Sequence, residues 1–377
     1  SLGTGMATLM AHGTSWGSDP ALKKYFRKAK ALGTDVKITV LHRDEEIAMN
    51  GIDTALGKIE HIEQLMSLYR PDSQLSLLNR KGVLRNPHPD LVTALKKSIE
   101  LSRRTGGAFD VTVQPLWNLY TRHAQSGSLP SEHEIAKVRR RISWEHVRIE
   151  EDIIFFDRPG MQVTLNGVAQ GMAADFARQA LEEGGIRDAL IDAGEFNAIG
   201  SPRRTDSWQI AVQHPRQDGN IAKIGLQGRC LSTSGDYGTK FSDDYRYHHL
   251  FDPRTGISPT KLSAVSVSAP TALEADALST ALFVLGPEQA KEMVDKVASF
   301  YKTESYGNWR NNFLMISDDV DEFGDRLIQE TTDIIAEDVK EEKPFLNVFK
   351  IHSDSYVQET TSGGDRYTLV NKAIFDA

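Results

Sequence analysis

Cysteine is nearly absent: Cys230 is the only one among 377 residues. That excludes an internal disulfide framework and every cysteine-rich metal or iron–sulfur site. No apolar run approaches the roughly 18 residues that a transmembrane helix needs. Positive charge is also short. The 44 Lys and Arg stand against 52 Asp and Glu, a formal net charge of −8, and the densest basic stretch is Arg139-Arg140-Arg141 in a mixed-charge segment. Duplex nucleic acid, which selects basic surfaces, is therefore not an expected partner. Internal repeats and low-complexity tracts are missing too. What is there, 40% hydrophobic and 25% charged residues with 29 Gly and 14 Pro, suits a globular chain long enough for two ordinary domains or for one large one with insertions.

Hydrophobic periodicity places the elements. Asp19 to Lys30 reads as a short charged helix, and Val36 to Leu41 as a half-buried strand after the Gly33-Thr34 turn. Helical spacing runs from Ala48 to Met66, closed by Tyr69-Arg70-Pro71-Asp72-Ser73, and again from Pro89 to Thr105, closed by Gly106-Gly107. A helix near Glu132 to Arg141 precedes short strands at Val147 to Ile149, Ile153 to Phe156 and Gln162 to Leu165. A third long helix spans Gly167 to Gly184, strands alternate with turns from Ala189 to Val267, and a further helix covers Leu273 to Leu285. Strands and helices come in blocks without regular alternation, so the expected class is α+β, with mixed or antiparallel sheets and packed helices. From about Asp318 the chain is acidic and weakly periodic, then strand-like at Phe345 to Ile351 and Tyr367 to Val370. The expected organisation is a disordered segment over 1–18, which has the look of a trimmed export signal or an expression scar, a main domain over 19–317, and a C-terminal extension over 318–377.

Four segments carry polar residues in patterns that chemistry uses. Gly106-Gly107-Ala108-Phe109-Asp110 offers close backbone approach, a ring and an acid, or simply a helix cap leading into a strand. Asn166 to Asp175 opens a helix after a strand, where backbone N–H groups can face an anion; a plain turn explains it equally well. Tyr247-His248-His249-Leu250-Phe251-Asp252-Pro253-Arg254-Thr255-Gly256 brings together a titratable base, a carboxylate and a cation. Asp276 and Thr280 stand at i and i+4 on one helix face. They are either hard oxygen ligands of the kind Mg²⁺ takes or an ordinary solvated pair.

The order and spacing of these segments resemble the ApbE family of flavin transferases. The likeness runs from about Ala31 to Gly286 through Tyr69-Arg70-Pro71-Asp72-Ser73 with Leu75 and Asn79, Gly107-Ala108-Phe109-Asp110, Gly167 to Asp175, Ser234-Gly235-Asp236, His249 to Gly256, and Ala275 to Ala281. The resemblance implies an ApbE-like fold and Mg²⁺-dependent transfer of FMN from FAD to a Ser or Thr hydroxyl of a respiratory flavoprotein, with release of AMP. It places flavin contacts on Leu32, Tyr69, Ala108, Phe109, Asp110, Thr164, Gln170 and Leu250. It places the metal on Asp276, Thr280 and a backbone carbonyl at Gly167, and the catalytic His at His249. It also implies a periplasmic protein, associated with a membrane only through its acceptor. The chain departs from the family pattern at Leu32 (commonly Met), Thr164 (Asp), Gln170 (Lys) and Glu195 (a second Gly). Two other readings compete: a pyrophosphatase that splits FAD into FMN and AMP, and a non-catalytic periplasmic flavin-binding protein.

Overall fold

The computed structural model describes residues 22–202 and 206–300, with 7–8, 312–317, 325–342, 347–352, 359–361 and 364–366. Most of the 1–18 segment, and the strand expected at Tyr367 to Val370, lie outside the described residues. The chain divides into compact units Ser1–Lys291 and Glu292–Ala377, a division ahead of the boundary expected at 317.

In the first unit, β1 (Ala7–Thr8) is followed by β2 (Lys23–Ala31) and β3 (Thr34–His42), which form an antiparallel hairpin. Here the expected charged helix over Asp19 to Lys30 is wrong in its described part: Lys23–Ala31 is an edge strand. Leu32 and Gly33 both take positive φ, 51° and 75°, the geometry of a two-residue hairpin turn, and this pairs Lys23 through Ala31 with the apolar β3. The exposed charges that suggested a helix are those of an edge strand facing water on most of its length.

α1 (Glu45–Met66) starts at Asp44, whose side chain accepts the Ile47 N–H, and buries Ile52, Ala55, Ile59, Ile62 and Met66 along one face. α2 (Gln74–Lys81), β4 (Val83–Arg85), α3 (Pro89–Arg104), α4 (Gln114–Gln125) and α5 (Glu132–Arg139) follow. Then come β5 (Val147–Ile149), β6 (Ile153–Phe156), α6 (Ala169–Glu183), β7 (Ala189–Asp192), β8 (Phe196–Ile199), β9 (Trp208–Gln213), β10 (Asn220–Leu226), β11 (Cys230–Gly235), β12 (Ala264–Ala269) and α7 (Ala272–Phe300), which is broken at Gly286.

The central sheet has the order β12-β11-β8-β7-β3-β2, every neighbour antiparallel. Both its faces are buried. Alternate residues Val36, Ile38, Val40, Ala189 and Ile191 join the core formed with α1 and α6, while Leu41, Leu190, Phe196 and Leu231 join Trp208, Ile210, Val212 and Leu226 of β9 and β10 in a second core. The α+β class with antiparallel sheets and packed helices is thus observed.

The strand expected at Gln162 to Leu165 is absent as a ladder. Its backbone is instead held by a side chain: the Asn79 amide donates to the Val163 carbonyl and accepts the Val163 N–H, both at 2.7 Å, while the Thr164 N–H donates to the Val111 carbonyl. An amide presents the same donor–acceptor pair as a neighbouring peptide, which is why the stretch reads as a strand without pairing as one.

In the second unit, β13 (Asn312–Ser317) and β14 (Asn347–His352) pair in parallel with α8 (Asp325–Glu342) between them in sequence. β15 (Glu359–Thr361) and β16 (Gly364–Arg366) form a small hairpin. The helix α8 lies in the stretch that periodicity left unassigned; its run of Glu and Asp masks the apolar face that buries Ala336.

Candidate active site

A cavity of about 420 Å³ opens where the β2–β3 turn, the end of α1, the start of α6, β11 and the first turns of α7 converge. The twelve residues on which the family resemblance places the flavin, the metal and the catalytic His all line it: Leu32, Tyr69, Ala108, Phe109, Asp110, Thr164, Gly167, Gln170, His249, Leu250, Asp276 and Thr280. Trp117, Glu195 and Ser234 complete the parts used below. The volume lies in the range of cofactor-sized pockets.

One end is apolar and flat. Tyr69 stands 67% exposed on the turn after α1, a turn fixed by Ser73, whose hydroxyl donates to the Ser67 carbonyl and accepts the Ser76 N–H to begin α2. Phe109 is buried against the backbone at Gly167, where a Cβ would lie 3.1 Å from its ring. Asp110 is committed to the fold: Oδ1 accepts the Thr112 N–H and hydroxyl at 2.8 and 2.6 Å, and Oδ2 accepts the Trp144 N–H at 3.1 Å. Its carboxylate therefore frames the cavity more than it reaches into it. Gln170, at the family's Lys position, turns its amide onto the Leu32 carbonyl at 3.4 Å and packs over Gly194.

The other end is acidic. Asp276 is 5% exposed and its Oδ2 accepts one N–H, that of Gly171, at 3.3 Å. Burial pushes its carboxyl up to about 7. Asp175, on α6, accepts the Ala272 and Leu273 N–H groups at 2.8 and 3.0 Å, capping the start of α7 and so setting where Asp276 points. Thr280 meets Ser234 through its hydroxyl at 3.1 Å, and Ser234 meets Ser279 at 2.7 Å, so β11 and α7 are stitched along the cavity floor. Glu195 is also 5% exposed, and burial followed by repulsion from Asp276 holds its carboxyl well above the usual carboxylate range. Buried oxygen donors of this kind, without a Lys or Arg partner among the described residues, are the donor set that a hard divalent cation fits. Glu195 was noted in the sequence only as a departure. Its signal was a carboxylate in a tight turn where a glycine is usual.

The two histidines separate by role. His248 Nδ1 accepts the Leu250 N–H at 3.3 Å and Nε2 lies 2.9 Å from the Pro259 carbonyl, so both ring nitrogens serve the fold. His249 lines the cavity. Its Nδ1 lies 3.2 Å from the Thr239 carbonyl and 3.3 Å from the Thr239 nitrogen, so the backbone of Thr239 serves either tautomer: a ring protonated on Nδ1 donates to the carbonyl and keeps a lone pair on Nε2, and a ring protonated on Nε2 accepts the N–H. Burial lowers its pKa to about 4, which keeps the ring neutral at pH 7. The loop that carries it is anchored by Arg216, which pairs with buried Asp236 and stacks on Tyr245 at 3.8 Å, and by the aromatic group Trp117, Tyr120, Phe241 and Phe251. The Asp252–Arg254 pair, a sequence candidate for carboxylate and anion-binding cation, is a self-contained exposed fork of 2.8 and 3.0 Å that shapes the turn. Elsewhere, His61, His88 and Asp90 cluster at the start of α3, where the Asp90 N–H donates to His88 Nδ1 as a helix cap.

Comparison with known proteins follows this geometry. Residues 32–301 match the model of the ApbE family, and residues 282–377 match that of peptidase family C25. The latter segment lacks the chain's one cysteine, Cys230, and so supplies no thiol nucleophile. The FAD:protein FMN transferase of Escherichia coli K12 is 33% identical over 285 residues, 71% of this chain and 80% of the relative. The crystal structure of the ApbE protein of Thermotoga maritima superposes with a TM-score of 0.67 at 29% identity, covering 74% of this chain and 92% of that one. The apo flavinyl transferase ApbE of Pseudomonas stutzeri gives 0.64 at 27% identity, with 74% and 89% covered. The chain therefore belongs to the ApbE family of FAD:protein FMN transferases.

Proposed function

We propose that this cavity binds FAD with its isoalloxazine against Tyr69, Phe109 and Leu250 and its diphosphate toward Asp276 and Thr280, and transfers FMN to a Ser or Thr hydroxyl in a Mg²⁺-dependent reaction. The observation that carries the reading is that one cavity is lined by His249, by the buried Asp276–Thr280 carboxylate–hydroxyl pair and by Tyr69, Phe109 and Leu250. Asp276, Thr280 and the Gly167 carbonyl would hold the metal. When bound, it supplies charge neutralisation on the diphosphate.

The chain's own residues do the rest. His249 Nε2 takes the proton of the acceptor hydroxyl as that oxygen forms a bond to the FMN-side phosphorus; the bond from that phosphorus to the bridging oxygen breaks, and AMP leaves with the bridging oxygen. The product is an FMN phosphoester on the acceptor. The step uses the tautomer whose Nδ1 proton faces the Thr239 carbonyl, and that carbonyl disperses the charge of the imidazolium that forms. Trp117, edge-on to the ring with centroids 6.4 Å apart, limits its rotation. The acceptor is proposed to be a respiratory flavoprotein met in the periplasm, and recovery of the native protein in the cytoplasmic fraction would overturn that placement.

The test is the intact mass of an acceptor fragment bearing a Ser or Thr site after incubation with this protein, FAD and Mg²⁺, with and without EDTA. A gain of one FMN that EDTA abolishes supports the reading. FMN and AMP released without a gain would favour hydrolysis by water in the same site, and labelling undiminished by EDTA would remove the metal from it.

A further inference from the structure

Glu195 has no part in the transfer just described, yet it is built into the same cavity. It closes the Ala193–Glu195 turn between β7 and β8, where its carbonyl accepts the Ala193 N–H at 3.1 Å. From there its side chain crosses to β11, whose register sets Leu231 opposite Phe196 and so brings Ser232 and Thr233 beside it. The carboxylate accepts hydrogen bonds from the Ser232 hydroxyl and the Thr233 N–H, while Oε2 is buried with no partner.

The charged groups around it among the described residues are Asp276 and, more weakly, Asp192, both acids. A buried carboxylate with a free oxygen, set toward a second buried carboxylate, is among the least favourable arrangements a fold can hold unless a positive charge completes it. Glu195 and Asp276 both line the cavity described above, together with Thr233 and Ser234 of β11 and Thr280 of α7. Resting on the cation reading of Asp276 and Thr280, we propose that Glu195 is a second carboxylate in the ligand shell of that cation.

Affinity of a hard cation rises with the number of charged ligands. The chain therefore binds a divalent cation before FAD arrives, its two carboxylates supplying the charge that the diphosphate would otherwise bring. Replacing Glu195 by its neutral isostere removes one ligand and one charge without opening a void.

Mn²⁺ is a direct probe, because free aqueous Mn²⁺ gives a six-line electron paramagnetic resonance signal that bound metal loses. The full chain, Glu195→Gln and Asp276→Asn are titrated with Mn²⁺ alone and with Mn²⁺ plus FAD, and the melting temperature of each is followed with and without metal. The expected result is Mn²⁺ binding without FAD that weakens at least tenfold in Glu195→Gln. The metal-free melting temperature of that variant should be unchanged or higher, since a buried carboxyl with an unpartnered oxygen has gone. Equal Mn²⁺ affinity in the full chain and Glu195→Gln, with Asp276→Asn impaired, would overturn the role of Glu195 and leave the cation site standing. Absence of Mn²⁺ binding in every sample, or binding that Asp276→Asn does not alter, would overturn the cation reading and this proposal with it. A lowered metal-free melting temperature with unchanged Mn²⁺ affinity would make Glu195 structural only.

Discussion

Gly171 is the position where a single methyl group separates two physical effects of opposite sign. It lies in the first turns of α6, and replacing a helical glycine by alanine ordinarily stabilises by about 0.5–1 kcal/mol through reduced chain entropy. At Gly171, however, a Cβ would fall 2.4 Å from the Ala272 carbonyl oxygen, 2.6 Å from its carbon and 2.7 Å from Leu273 Cα. All three are backbone atoms, so no side chain can swing aside, and ordinary contact near 3.5 Å requires α6 and α7 to part by roughly 1 Å. Overpacking of this kind costs about 1–3 kcal/mol or more, which outweighs the entropy gain and leaves Gly171→Ala destabilised by about 2 kcal/mol. The displacement also strains the Gly171 N–H bond to Asp276 and the Asp175 cap on α7, so cation affinity should fall in the same variant. Urea denaturation followed by circular dichroism reads the first effect and Mn²⁺ titration the second. An alanine variant as stable as the parent, with its metal affinity intact, would mean that the two helices do not cross this closely and that the seat of Asp276 has been misjudged.

Other consequences follow from the same geometry. Asn79→Ala leaves the Val163 N–H and carbonyl without partners in a buried strand-like segment, for a loss of about 2–4 kcal/mol in unfolding free energy by urea denaturation; a loss under about 0.5 kcal/mol would show that the amide is not acting as a neighbouring peptide. Asp175→Ala exposes the first N–H groups of α7 and should lower stability by about 1–2 kcal/mol together with Mn²⁺ affinity, whereas unaffected metal binding would separate the cap from the site. His249 has a folded pKa of about 4 against an ordinary 6.5. The fold favours its neutral form, so this contribution to stability is fully present above about pH 6.5 and is lost as pH falls through 4. It amounts to about 3 kcal/mol that His249→Gln should not lose between pH 7 and pH 4. Parallel pH curves for the two proteins would contradict the burial assigned to the ring.

Much of this was legible in the residues themselves. The apolar stripe from Ile52 to Met66 marked α1, and the ordered motifs from Tyr69 to Thr280 marked residues that the fold gathers into one cavity although they lie far apart in sequence. The errors have physical causes. Asp19 to Lys30 looked like a charged helix because an edge strand such as Lys23–Ala31 can be charged on both faces, and only the positive φ of Leu32 and Gly33 reveals the hairpin. α2 and α4 went unread because each is short and follows a turn motif that drew attention to itself: Ser73 proves to be the cap of α2, and Asp110 holds the one-turn helix that leads into α4. Asp252 and Arg254 were suggestive by adjacency, but neighbours in sequence that pair with each other have nothing left for a substrate. Glu195 carried the opposite lesson, since a lone acid in a turn gives no sign that β11 and α7 will enclose it.

The central claim is that His249 deprotonates the acceptor hydroxyl in a cavity that binds FAD without its help. It is tested most directly by His249→Asn, following FAD binding by flavin fluorescence and acceptor flavinylation by intact mass in the same samples with Mg²⁺ present. The account predicts FAD affinity within a factor of about two of the parent and a labelling rate lower by about 10²–10⁴, the range for loss of a general base. Labelling at the parent rate with FAD bound would contradict it.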